Sequence, residues 1–86
     1  MPEISRFFGI IIRMYYDEHG PPHLHAEYSG NKIVLDFQGN ILRGNIGSRT
    51  ALRMVREWID LHTKELMENW ELARSGENIK EIAPLD

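Results

Sequence analysis

Three histidines, His19, His23 and His25, fall within seven residues around the Pro21-Pro22 pair in the stretch HGPPHLHAEY. Imidazole changes charge near neutral pH, relays protons and ligates divalent metals through either ring nitrogen. On a β-strand, residues two apart share a face. His23, His25 and Glu27 therefore point one way, and Leu24, Ala26 and Tyr28 the other. Two chemistries suit such a pair. One is a general acid–base couple, with Arg13 and Tyr15 of the preceding strand as neighbours on the same face. The other is a metal site of nitrogen and oxygen ligands for zinc, nickel or copper, built on His23 and His25 with His19 or His62 added. Against both stands the ordinary fact that one face of an antiparallel sheet is polar because it meets water.

His62 differs in kind. On a helical wheel it lies among Val55, Trp58 and Leu66, with Glu65 and Asn69 at the near edge of the same face. Burying such groups is costly unless they are paired, so the expectation is a core histidine satisfied by Glu65 or a strand carbonyl. Alternation places His23 and His25 on the sheet face opposite the helix, away from His62. Only an irregular strand start after Pro22 would turn His23 the other way.

A third constellation is basic. Residues 37–56 carry Arg43, Arg49, Arg53 and Arg56 and no acid, between a segment of net −2 (1–36) and one of net −5 (57–86). Arg49, Arg53 and Arg56 occupy the first turns of a helix, where its dipole disfavours cations. Pairing of Arg53 with Glu57 and of Arg56 with Asp60 would offset this by tenths of a kcal/mol, about 0.2–0.5 each. The functional reading is an anion site, shared with Arg43, for nucleic-acid phosphate or an acidic partner.

Four strands and one helix must position these groups. The sequence predicts strands at Phe7–Tyr16, His23–Tyr28, Lys32–Phe37 and Ile41–Asn45. The loop Asp17–Pro22 and the turns SGN and QGN separate them. Ser48 is the expected N-cap of a long helix reaching about Arg74. Its apolar face is Leu52, Val55, Trp58, Ile59, Leu66, Trp70 and Ala73. The fold class is α+β: a four-stranded antiparallel meander with one long C-terminal helix packed on one face. Residues 1–86 read as a single domain, with the meander at about 1–47, the helix at 48–75 and a tail at 76–86. In the tail, Ile79, Ile82 and Leu85 are available for docking.

An 86-residue chain without cysteine has neither disulfides nor thiolate metal sites to support a small core. Ile10, Ile11 and Ile12 put apolar bulk on both faces of the first strand, which points to the tail, another copy or a partner on the second face. A net charge of −3 argues against a general nucleic-acid binder. No apolar run approaches the ~20 residues of a membrane helix, and the start lacks a signal-peptide pattern. A cytoplasmic protein is expected.

The runs MPEISRFFGIIIRMYY, PPHLHAEY and LRMVREWIDLHTKELMENWELA, in this order, resemble the small bacterial family known as domain of unknown function 4160. Leu24 stands where that family would have an aromatic, and Gly20 where a further proline is common. The resemblance names no reaction. It implies one half of a two-gene module of toxin–antitoxin type, with a second small protein as partner and His23, His25 and Glu27 as the functional cluster; RNA or DNA as a further partner follows from the arginine row.

Overall fold

Two short turns with left-handed backbone set the architecture of the sheet. Phe8 and Gly9 have φ of 49° and 78°, and Ser29 and Gly30 have φ of 50° and 84°. Both pairs match the primed two-residue turns whose twist suits an antiparallel hairpin. The first separates β1 (Glu3–Phe7), which lies ahead of the expected opening strand except at Phe7, from β2 (Ile10–Arg13), which falls inside it; the second joins β3 (His23–Tyr28) to β4 (Asn31–Asp36), and β5 (Ile41–Gly44) follows. The sheet therefore has five strands, not four, in the meander order β1-β2-β3-β4-β5. The opening strand was misread because a phenylalanine with positive φ is rare, and the run FFGIII hides the turn in apolar sequence. The computed structural model describes residues 2–16 and 19–86, so Asp17 and Glu18 of the Asp17–Pro22 loop lie outside the described residues.

Asp36 shapes the turn between β4 and β5. Its Oδ1 accepts from the backbone N–H of Gln38 and of Asn40, and its Oδ2 from the Asn40 side chain. Burial pushes the Asp36 carboxyl up, but the hydrogen bonds from Asn40 and Gln38 outweigh it and hold it below the ordinary carboxylate range.

Ser48 caps α1 (Arg49–Leu61) as expected, its Oγ accepting from Ala51 N at 3.1 Å. The helix is not continuous to Arg74. His62, with φ −124° and ψ 23°, ends α1 and precedes α2 (Thr63–Arg74). Local chemistry accounts for the interruption. The Thr63 hydroxyl donates back to the Ile59 carbonyl at 2.8 Å, a contact that bends helices. The His62 ring leaves the helical path to bond Glu65.

The helices cover one sheet face. Trp58, Val55 and Leu66 are fully buried against Ile10, Ile12, Leu24, Ala26 and Leu35. The tail joins this core: Ile82 is buried, and Ile79 and Leu85 pack on it. Among the described residues five hydrogen bonds hold residues 79–83 of the tail: Ile82 N to Ile4 O, Trp58 Nε1 to Ala83 O, Asn69 Nδ2 to Lys80 O, Lys80 N to Asn69 Oδ1, and Ile79 N to the Tyr16 hydroxyl. On the other face of the first hairpin Ile11 sits half-buried opposite Arg6 and Glu27. Among the described residues no helix is long and apolar enough to cross a membrane.

Candidate functional site on the open sheet face

Strand register brings the predicted site together. Arg13 lies opposite His25, His25 opposite Val34, and Val34 opposite Arg43. Directly opposed residues share a face and sit about 4.5–5.5 Å apart at Cβ. Arg13, His25 and Arg43 thus form one row across three strand boundaries, on the face away from the helices. Glu3, opposite Arg13, extends the row. Its carboxyl is held below the ordinary range by the Arg6 hydrogen bond and by the charges of Arg6 and Arg13, against a smaller upward effect of burial. Arg13 also reaches diagonally to Glu27, Nε to Oε2 at 2.7 Å, with both side chains about a quarter exposed.

The rings form a chain. Tyr15 meets His25 edge-on at 4.5 Å between centroids, and His25 meets His23 at 5.4 Å. His23 in turn lies 5.1 Å from Trp70, which is 6.2 Å from Phe37. The strand start after Pro22 is where this chain leaves the open face. His23 is buried and touches α2 through Trp70, while the contacts of His62 are with Trp58 and Glu65. His62 therefore stays out of the histidine pair.

The Pro21 carbonyl lies 2.8 Å from His23 Nδ1. A carbonyl only accepts, so Nδ1 carries the proton, and in the neutral ring Nε2 holds the lone pair. His19 and His23 line one depression of about 270 Å³ with Pro21, Val34, Leu42 and Arg43. A bulge between β4 and β5 lets Leu42 and Arg43 both face it. Among the described residues, no three His, Asp or Glu side chains converge as a metal site. Within that set the His23 and His25 rings lie 5.4 Å apart between centroids, His19 shares the depression with His23, and His62 lies against Trp58 instead.

The basic constellation divides. Arg43 belongs to the open face, whereas Arg49, Arg53 and Arg56 lie on the helix covering the other face. Arg56 donates to the Gly39 carbonyl at 2.9 Å and so braces the β4–β5 turn. The expected pairs Arg53–Glu57 and Arg56–Asp60 do not form within 4 Å. Contiguity in sequence misled here, because the chain crosses from one face to the other between Gly44 and Ser48.

A family model, described as Domain of unknown function (DUF4160), matches residues 9–71. The chain belongs to this family. The DUF4160 match spans the whole ring chain from Tyr15 to Trp70 and leaves out β1 and the tail, which bond each other through Ile4 and Ile82. No curated protein and no solved structure matches the chain.

Sequence reasoning missed Trp70 as a member of the site, since the wheel assigned it to the core alone. Val34, Leu42 and the Pro21 carbonyl were also missed. Only strand order, which periodicity does not give, makes Val34 the bridge between His25 and Arg43.

Proposed function

We propose that the open sheet face binds single-stranded RNA, and that the chain works as the RNA-engaging component of a two-protein module of toxin–antitoxin type. The Arg13–His25–Val34–Arg43 row carries this reading, with Tyr15 set against His25. Arginines suit phosphate oxygens, and flat rings on an open sheet suit unstacked bases. Two imidazoles beside an arginine also match the needs of cleavage at a 2′-hydroxyl. One ring takes the hydroxyl proton as the 2′ oxygen bonds to phosphorus, the other gives a proton to the departing 5′ oxygen, a 2′,3′-cyclic phosphate is left, and the guanidinium stabilises the charge on the phosphorus oxygens.

The test is fluorescence anisotropy with labelled single-stranded RNA over a range of salt, with EDTA present and strand integrity followed on a gel. Arg43→Ala should weaken binding and reduce the log–log salt slope by about 0.7, the value for one phosphate contact on a single strand. Arg53→Ala, on the helical face, should leave both unchanged. Absence of RNA binding, or an equal loss in Arg53→Ala, overturns the reading.

One observation favours a second reading. A histidine whose Nδ1–H is held by a carbonyl presents Nε2 in the orientation common for metal ligands. Titration with zinc, nickel and copper under native mass spectrometry separates the two. Stoichiometric metal lost in His23→Ala/His25→Ala supports the metal pair.

A further inference from the structure

Among the described residues β5 closes the sheet at one side and pairs only with β4. Its four residues, Ile41–Gly44, are all exposed, and Ile41 and Leu42 each keep 45 % of their surface open. The opposite side differs, because β1 receives the tail through the Ile82 to Ile4 bond. Natural edges are blunted by shortness, bulges and charge, and β5 has a bulge and Arg43. It nevertheless retains two large apolar side chains, and a hollow runs beside it.

That hollow, about 430 Å³, lies between β5 and the start of α1. Ile33, Ile41, Ile46 and Leu52 give it apolar walls, and Arg49 stands at its rim. On the other side of the same strand, Leu42 and Arg43 face the open sheet. A strand added here would send alternate side chains to the two sides. One set would meet apolar walls, and both sets would meet arginine. Among the described residues no ion pair within 4 Å involves Arg43 or Arg49.

We propose that β5 takes up an extended, acidic segment of a second protein as a sixth strand, by main-chain pairing with alternating apolar residues seated in the Ile41–Leu52 hollow. The charge complementarity selects the partner, and backbone pairing supplies the register. This surface shares Arg43 with the open-face row, but its test reads amide exchange in β5 against a peptide and does not depend on RNA binding.

The experiment uses the full chain and an eight-residue peptide alternating glutamate with isoleucine, with a lysine–isoleucine peptide as control. Backbone amide hydrogen exchange is followed residue by residue at millimolar peptide. The glutamate peptide should slow exchange within residues 41–44 by about tenfold or more, by turning an open edge into a paired strand. Arg43→Glu/Arg49→Glu, checked for fold by circular dichroism, should lose this protection and gain it from the lysine peptide. Four results overturn the proposal: no slowing in residues 41–44, equal slowing with both peptides in the wild type, protection confined to another surface, or pairing of β5 with a second copy of the chain.

Discussion

The Asn69 carboxamide makes both of its hydrogen bonds to the backbone of Lys80: Nδ2 donates to the carbonyl at 2.8 Å, and Oδ1 accepts from the N–H at 3.0 Å. Asn69 is 2 % exposed, so this side chain serves Lys80 as a backbone partner would, two residues before the tail bonds β1 at Ile82. The sequence placed Asn69 beside His62 and Glu65 as an unusual polar line. The structure separates that line into two functions, a helix junction and a tail anchor.

Asn69→Asp keeps the size and removes the donor, leaving a buried carboxylate facing the Lys80 carbonyl. An unsatisfied buried group costs about 1–3 kcal/mol, more when charged. The expected result is a fall in Tm of roughly 4–8 °C per kcal/mol, together with faster proteolysis in residues 77–86. A melting curve and limited digestion check it; a wild-type Tm in the variant contradicts it.

Acid should weaken the β4–β5 turn. The Asp36 carboxyl sits below its ordinary range when folded, so it stabilises the fold above its unfolded pKa, and this contribution is lost as pH falls through the folded value. Asp36→Asn removes the ionisation. The Tm difference between wild type and Asp36→Asn should be greatest near neutral pH and shrink on acidification. A difference that stays constant down to low pH would refute the assignment.

Gly44 and Gly30 both have positive φ, at 88° and 84°, but only one is crowded. An added Cβ at Gly44 would stand 2.4 Å from the Lys32 carbonyl oxygen, whereas nothing lies within 4 Å of one at Gly30. Gly30→Ala should cost about 1–2 kcal/mol from backbone strain alone. Gly44→Ala should cost on the order of 3 kcal/mol or more, because backbone must move. Urea denaturation of the two variants gives the comparison, and equal losses would sink the argument.

His25 is half-buried on the open face, while His23 carries the contact with Trp70. His25→Ala should therefore leave Tm within a few degrees of wild type, and abolish any RNA cleavage. Trp70→Ala, by contrast, should destabilise by about 3–5 kcal/mol. Cleavage unchanged in His25→Ala would remove that residue from the proposed chemistry.

Local periodicity made much of this legible. Period two in HLHAEY fixes which residues share a face, and register then sets Arg13 opposite His25. The helical period likewise gave Val55, Trp58, Leu66 and Trp70 as core. What failed was either hidden in apolar sequence or non-local. Phe8-Gly9 turns inside a run that reads as one strand, and His62 interrupts a helix through its own side chain. The division of Arg43 from Arg49 depends on which face the chain has reached, and linear charge counting has no access to that. The tilted ring contact of His23 with Trp70 joins residues 47 positions apart.

The bond between Ile82 and Ile4 has a kinetic consequence. It spans 78 positions, and contacts of such separation carry a high loop-closure cost and form late. During synthesis, β1 and β2 can pair early, yet the Ile4 carbonyl waits for its donor until residue 82 has been made. Completion of the core is thereby tied to emergence of the tail, and a ribosome stalled before Ile82 would hold a sheet whose first strand is still open.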